Sequence, residues 1–392
     1  MAKKKRWHPS LETDELIFAV CDRFLAHLDA QYNPRSSHGH GGRKGAAAAI
    51  ADWLKETWKR PDLTREKVYP LFWEAGRRRF FSLHPPCELH LAQQIAATYN
   101  VGFAPDDRRT IEVVGVQGAE AGRHVSTAGA ERVLSLVKEI GRRRQPVHIG
   151  LGAGHTAMMV ARHLANRVRS DPDCPSLVLH AISAGGFQPD KPQRCPTTYL
   201  NYFDGALTDV KFVALFSQTI ASNEEYEQIR KSPDMRAAFA QADEIDIVVT
   251  SFAWAQEPHG LLRQFLEHLV SEGALDSETI PKMLETGWIG DVQFRPYSPE
   301  APLLDECPVR AVTLFEVSDL VRLAKTEDKH VVLLARPCGN CGELKTPALK
   351  PLLTAPELRL WTHLVLDAKT ASTLLKSPAA GGSPAGPEEA QA

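Results

Sequence analysis

From Val147 to Thr156 the chain reads Val-His-Ile-Gly-Leu-Gly-Ala-Gly-His-Thr. A short apolar strand meets three glycines, Gly150, Gly152 and Gly154, and then the start of a helix. Behind the glycines Val160, Leu164 and Val168 repeat at i, i+4 and i+8, the spacing of one buried helical face. Strand, tight turn and amphipathic helix together make the first part of a crossover in a parallel sheet. The turn also carries chemistry. Glycines let a ligand approach the backbone, and open N–H groups at a helix start attract anions. Gly152, Gly154, His155 and Thr156 are therefore candidate ligand contacts, with Thr156 adding a hydroxyl. The same glycines would also serve a tight turn that binds nothing.

Short apolar runs alternate with helical stretches through the rest of the chain. Strands are expected at Thr110–Val116, Leu177–Ser183, Phe212–Phe216, Ile245–Phe252, Ala311–Phe315, Val331–Ala335 and Leu364–Leu366. Helices are expected at Ala128–Ile140, Asn223–Ala242 and Leu261–Ser271. This pattern predicts an α/β domain with a mainly parallel, Rossmann-like sheet. Ligands in such sheets sit at the carboxyl ends of strands. The Gly152–Thr156, Gly185–Gly186 and Cys338 loops are expected there, which adds Gly186 to the candidates. Asp246, inside a strand, reads as a strand-end carboxylate or a ligand contact.

The first 86 residues have a different character. Helices are expected at Leu11–Tyr32, Gly45–Trp58 and Arg65–Glu74, the last capped by Thr64, kinked or shortened by Pro70 and ended by Gly76. Arg77–His84 then reads as a short strand with a triple-arginine start. Three helices and a basic strand fit a winged helix-turn-helix whose third helix enters the major groove of DNA. Arg65, Lys67, Arg77, Arg78 and Arg79 would contact phosphates or base edges. A docking or dimerising helical domain fits the same pattern. Residues 1–87 hold sixteen Lys and Arg against ten Asp and Glu, while the whole chain carries −2. A basic segment on an acidic body points to a nucleic-acid partner. Between the first two helices, His38 and His40 are metal candidates in a Gly/Ser-rich loop. Pro85-Pro86 marks a boundary. The expected division is residues 1–86, 87–376 and a disordered Ala/Gly/Pro tail at 377–392.

Several function classes are set aside. No run of 18 apolar residues exists, so no membrane span is expected. Met-Ala-Lys-Lys-Lys-Arg has no apolar stretch behind it, so no signal peptide is expected and a cytoplasmic location is. Seven cysteines scattered through 392 residues read as reduced thiols. Cys338-x-x-Cys341 is only half of a zinc or redox motif, and no metal or cofactor is expected. The alternation around His180 suggests a core histidine.

Several patches, taken in order, resemble the SorC family of bacterial sugar-responsive transcription regulators. Val147–Thr156 is similar to the family's strand and glycine–threonine loop. Asp246-Ile-Val-Val-Thr resembles its aspartate in a strand. Gly287-Trp-Ile-Gly-Asp291-Val resembles its Gly-Ala-Val-Gly-Asp signature. Val331-Val-Leu-Leu-Ala335 with Lys345 and Ala348-Leu-Lys-Pro-Leu-Leu353 resembles its valine-run block. Leu366-Asp367-Ala-Lys-Thr-Ala371-Ser-Thr-Leu-Leu375 resembles its closing helix, and Thr64–Leu83 its recognition helix and wing. The resemblance implies an effector domain with the fold of glucosamine-6-phosphate deaminase and ribose-5-phosphate isomerase. It implies a sugar or sugar phosphate effector, double-stranded DNA as partner, and a homo-oligomer, dimer or tetramer. Gly154, His155 and Thr156 would hold the phosphate, Asp291 would meet sugar hydroxyls or order the loop, and Lys345 would be a phosphate or lid cation. Thr197 and Thr198 would supply further polar contacts.

This chain departs from that pattern in the loop between the first two helices, which is longer, and at two further places. Arg336-Pro-Cys-Gly-Asn-Cys341-Gly replaces the family's Ala-Gly-Gly, and Ser251-Phe-Ala-Trp254 replaces a glycine-rich turn. Deaminases of this fold carry an Asp-Gly-His run for acid–base work, and it is absent here. A regulator without catalytic residues is therefore expected. The alternatives are a phosphosugar isomerase- or deaminase-like enzyme, and a carbohydrate-binding protein that has lost DNA recognition.

Overall fold

In the computed structural model, described residues are 7–32, 45–78, 80, 86–102, 104, 107–116, 118, 121–169, 171–185 and 191–376. The chain divides into two compact units, residues 1–84 and 85–392. The first contains α1 (Asp14–Tyr32), α2 (Ala46–Thr57) and α3 (Arg65–Arg77). They enclose a small core of their own, with Ile17, Val20, Ile50, Leu54, Val68 and Leu71 almost fully buried.

The second unit continues with α4 (Leu89–Thr98), β1 (Thr110–Val114), α5 (Ala121–Gly141), β2 (Val147–Leu151), α6 (His155–Arg169), β3 (Leu177–Ala181) and β4 (Val210–Val213). Then follow β5 (Ile220–Ala221), α7 (Asn223–Lys231), α8 (Pro233–Ala240), β6 (Ile247–Trp254), α9 (Leu261–Ser271) and α10 (Thr279–Glu285). The chain proceeds through β7 (Gly290–Val292), β8 (Arg295–Tyr297), β9 (Arg310–Ala311), α11 (Val317–Lys325), β10 (His330–Ala335), α12 (Thr346–Thr354), β11 (His363–Asp367) and α13 (Ala368–Lys376).

Seven strands form a parallel sheet in the order β1-β11-β10-β6-β2-β3-β4. Its central strands are apolar on both faces because helices cover both. Val331 to Leu334 of β10 are buried to within 1%, and Val160, Leu164 and Val168 of α6 to within 0%. One core lies between the sheet and α5 and α6, the other on the opposite face against α11, α12 and α13. The sheet also sets where a ligand can lie. From β2 the chain moves outward to β3 and β4, whereas from β6 it moves outward the other way to β10 and β11. Loops leaving the carboxyl ends of adjacent β2 and β6 diverge there, which opens a crevice at the switch point.

The α/β class with a mainly parallel sheet is as expected, and local readings needed correction. Asn223–Ala242 is two helices, broken where Ser232 precedes Pro233. In Ala311–Phe315 only Ala311 is in a strand, paired with β5 outside the main sheet, because this apolar run is buried by packing. An apolar run of that length does not distinguish the two. The strand at 212–216 ends at Val213. Helix α3 passes Pro70 and Gly76 and ends at Arg77, so Arg77 is helical and Arg78 lies in a turn. Val68, Leu71 and Ala75 anchor α3 on both sides of the proline, and Phe80 N–H bonds to the Ala75 carbonyl at 2.9 Å. The remaining residues of the expected wing, the His38/His40 loop and the tail lie outside the described residues, as do Arg79 and Gly186.

Candidate functional site

A cleft of about 140 Å³ opens at the switch point. Its floor is the turn between β2 and α6. Gly154 holds φ +104°, a conformation that favours glycine, and this bends the chain into the helix. Its N–H is already bonded to the Arg194 carbonyl at 2.9 Å. The fully buried Tyr199 hydroxyl donates toward the carbonyls of both Gly154 and Arg194, at 3.1 and 2.9 Å, fixing the turn to that segment.

A second wall comes from the hairpin β7–β8, which pairs antiparallel to the end of β6. Its two-residue turn places Gln293 and Phe294 at φ +52° and +60°. Such a turn is normally built from Asn and Gly, so two ordinary side chains here carry backbone strain. The result is that both line the cleft. Gln293 Nε2 donates to Thr250 Oγ1 at 2.5 Å, while its Oε1 has no donor among the described residues. Gly152 makes room for it: a Cβ there would lie 2.2 Å from Gln293 Nε2.

The third wall is acidic. Glu257 is 3% exposed and lies 2.9 Å from Lys345 Nζ, which also donates to the Phe252 carbonyl at 3.3 Å. The Glu257–Lys345 contact is an ion pair, and Lys345 is the one cation that Glu257 Oε2 meets among the described residues. Asp291 faces the same pair. Burial raises its carboxyl to about 7, against the pull of Lys345 and with a push from Glu257. Cys338 borders Glu257, and burial followed by that carboxylate raises its thiol to about 11.

The fourth wall is cationic. Arg336 follows β10 and reaches across to the start of α6, donating to Thr156 Oγ1 and His155 Nδ1, each at 2.8 Å. Guanidinium only donates, so His155 Nδ1 accepts and carries no proton. Burial lowers the His155 pKa to about 4, helped by Arg336 and Arg194, so the ring is neutral near pH 7.

The structure thus brings together Gly154, His155, Thr156, Asp291 and Lys345. Gly152 lies beneath Gln293. Thr197 and Thr198 do not line this cleft: Thr197 Oγ1 lies 3.0 Å from Cys195 Sγ and Thr198 Oγ1 donates to the Cys195 carbonyl at 2.8 Å, so both shape the turn carrying Arg194. Asp246 stands at the amino end of β6, away from the cleft, where it binds Arg144, Lys329 and the His148 N–H. The loop before a parallel strand emerges at the end of the sheet opposite the ligand crevice, which is why this carboxylate makes no contact there. Sequence reasoning missed Glu257, Gln293, Phe294 and the role of Arg336. The replaced Ala-Gly-Gly was a signal for Arg336, whereas nothing in the sequence marks the strained turn.

In the N-terminal unit, Arg65 is exposed at the start of α3. Arg77 donates to Glu74, whose carboxyl it holds down at about 2, yet remains 66% exposed. Arg78 is a brace: it pairs with Glu74 and Asp14 and donates to the Ser10 carbonyl at 3.1 Å. Lys67 donates to the Asp62 carbonyl and lies 4.7 Å above the Trp7 ring. Between Arg65 and Arg77 the same helical face exposes Tyr69 at 47% and Trp73 at 70%, a strip spaced by four residues.

No family model matches this sequence, and no curated protein does. Solved structures do match, and they define a class of fold, that of the SorC-type and DeoR-type regulators. The full-length sorbitol operon regulator SorC from Klebsiella pneumoniae aligns with TM-score 0.57 at 15% identity, over 93% of this chain and 99% of its own. A DeoR family transcriptional regulator from Listeria monocytogenes aligns at 0.52 and 14% identity, over 72% and 98%. A transcriptional regulator from Streptococcus pneumoniae aligns at 0.51 and 12% identity, over 74% and 96%. The mainly parallel α/β sheet expected from the sequence is thus a fold shared with these solved regulators. Among the described residues no helix is long and apolar enough to cross a membrane.

Proposed function

We propose that this protein is a ligand-responsive transcription regulator. The larger unit takes a sugar phosphate in the cleft, and the N-terminal unit binds double-stranded DNA, in a homo-oligomer acting in the cytoplasm. The observation that carries this reading is the polarity of the cleft. A wall of Arg336 and the α6 start suits an anion. The opposing acceptors Glu257 and Gln293 suit hydroxyl donors. The structural relatives, named as transcription regulators, support the output. On α3, Arg65 and Arg77 are placed for phosphates, with Tyr69 and Trp73 between them.

The test is titration of double-stranded DNA at several salt concentrations, with and without sugar phosphates. Each lost phosphate contact lowers the slope of log affinity against log salt by about 0.9. The Arg65→Ala/Arg77→Ala double variant is expected to lower it by roughly two. Salt-independent or absent DNA binding by the wild type refutes the regulator reading and leaves a carbohydrate-binding protein. A second reading is favoured by one observation: Asp291, raised to about 7 beside Glu257 and Lys345, is placed for general acid–base work. Turnover of a sugar phosphate to an isomer by the wild type, lost in Asp291→Asn, would establish it.

A further inference from the structure

Arg336 is an unusual tenant of this cleft. A guanidinium at the amino end of α6 sits at the positive end of a helix dipole, where a cation is disfavoured. It makes no ion pair with any described residue, and Glu257, the acid nearest in the cleft, is held by Lys345. Space has been kept for it. A Cβ at Gly122, in the first turn of α5, would lie 2.7 Å from the Arg336 Nη1, and one at Gly339 would lie 3.2 Å away. A glycine in a helix weakens it relative to alanine, so Gly122 trades helix stability for room beside that guanidinium.

The donors usually credited with anion binding in such a turn are partly spent. Gly154 N–H bonds to the Arg194 carbonyl, while Thr156 Oγ1 accepts from Arg336 and keeps its own O–H to offer. Across the cleft, Gln293 Oε1 is a buried acceptor with no donor among the described residues, and Glu257 Oε2 meets only the Lys345 ammonium, at 2.9 Å. One wall is thus short of an anion, and the other of hydroxyl or amino hydrogens.

We propose that Arg336 is the anion anchor and specificity determinant of the cleft, selecting phosphorylated polyols whose phosphate lies against its planar fork and whose hydroxyls donate to Glu257 and Gln293. This rests on the sugar-phosphate reading of the cleft and moves the principal phosphate contact from the β2–α6 turn to the loop after β10. With Nε given to Thr156 and one Nη2 hydrogen to His155, the Nη1/Nη2 end of the guanidinium is the edge that offers paired N–H groups to phosphate oxygens, which a point charge does not.

The experiment is calorimetry and thermal shift on the full chain with glucose 6-phosphate, fructose 6-phosphate and ribose 5-phosphate, each beside its free sugar. Wild type is expected to bind at least one phosphate and to ignore the matching free sugar. Arg336→Gln should weaken that binding on the order of 10- to 100-fold, the loss of charge-assisted hydrogen bonds. Arg336→Lys should fall between the two, and Thr156→Val should change affinity less than Arg336→Gln. The ligand-free Arg336→Gln protein should melt within a few degrees of wild type, since the removed group had no counter-ion. Arg336→Gln binding within twofold of wild type overturns the anchor and leaves the sugar-phosphate reading standing. If Arg336→Gln does not fold, Arg336→Lys binding as wild type does has the same force. Wild type that binds free sugars as well as their phosphates, or none of the panel, overturns both.

Discussion

Asp246 offers the sharpest separation between a carboxylate that contacts ligand and one that holds the sheet together. Its side chain is fully buried, with Oδ2 accepting the His148 N–H at 3.0 Å and Oδ1 paired with Arg144 and with Lys329 at 3.4 Å. Arg144 is about half exposed, so that pair is screened and contributes little. The bond from a backbone N–H to a buried carboxylate contributes about 1.5–3 kcal/mol. Lys329, only 15% exposed, would lose its one acidic partner. Together these put Asp246→Ala at roughly 3 kcal/mol destabilising, within the range for breaking a buried pair. Asp246→Asn keeps an acceptor for His148 and should cost about half of that. At roughly 2 °C per kcal/mol for a domain of this size, the alanine variant should melt about 6 °C lower. Ligand response should survive, because Ser251, where β6 reaches the cleft, is five residues further on, about 17 Å along the strand. The assay is a melting curve with and without the best sugar phosphate. An Asp246→Ala protein that melts with wild type but no longer responds to ligand would refute this placement and restore the carboxylate as a contact.

Other outcomes follow from the same structure. Burial lowers His180 to about 4 and His363 to about 3, each with help from a stacked histidine neighbour, below the unfolded value near 6.5. The stability they allow is therefore full above pH 6.5 and is lost as pH falls toward 4, at about 1.4 kcal/mol per pH unit for each, measured by urea unfolding at stepped pH; a flat profile between pH 7 and 4.5 would contradict it. Because Asp291 ionises near pH 7 within the cleft, an anionic ligand should bind more weakly at pH 8 than at pH 6.5, and Asp291→Asn should flatten that dependence in calorimetry. Gly122→Leu should displace the Arg336 guanidinium and reduce sugar-phosphate affinity severalfold while circular dichroism stays helical. Arg78→Ala should lower the melting point of the N-terminal unit and leave the salt slope of DNA binding unchanged, the reverse of Arg65→Ala.

The sheet was legible because burial on both faces writes itself as apolar runs: Val331–Ala335 and Leu364–Leu366 are strands, and Val160, Leu164 and Val168 face the core. Ala311–Phe315 misled for the same reason, since an apolar run reports burial and not ladder pairing. Within the site, Gly154, His155 and Thr156 were visible as a glycine turn at a helix start, and Asp291 and Lys345 only through the family resemblance. What stayed hidden depends on tertiary placement. Asp246 already stood at the amino end of its expected strand, but its partners Arg144 and Lys329, distant in sequence, did not show. Arg78 looked like its neighbour Arg77 until Glu74 and Asp14 were found on either side of it.

The least family-like stretch is therefore the most informative one. At Arg336-Pro-Cys338 a guanidinium fills the space at the start of α6. The chain answers with Gly122 and Gly339 beside it, and with a neutral His155 that accepts its N–H. Opposite, a turn that would ordinarily be Asn-Gly instead holds Gln293 and Phe294 at positive φ, strain that places an amide oxygen in the cleft. The two walls are complementary: one presents guanidinium donors and the other the Gln293 acceptor, while Lys345 and Glu257 neutralise each other between them. A cleft that bound nothing would have no need of backbone strain that holds an amide oxygen opposite a guanidinium. A site for a phosphorylated ligand with hydroxyls has use for both.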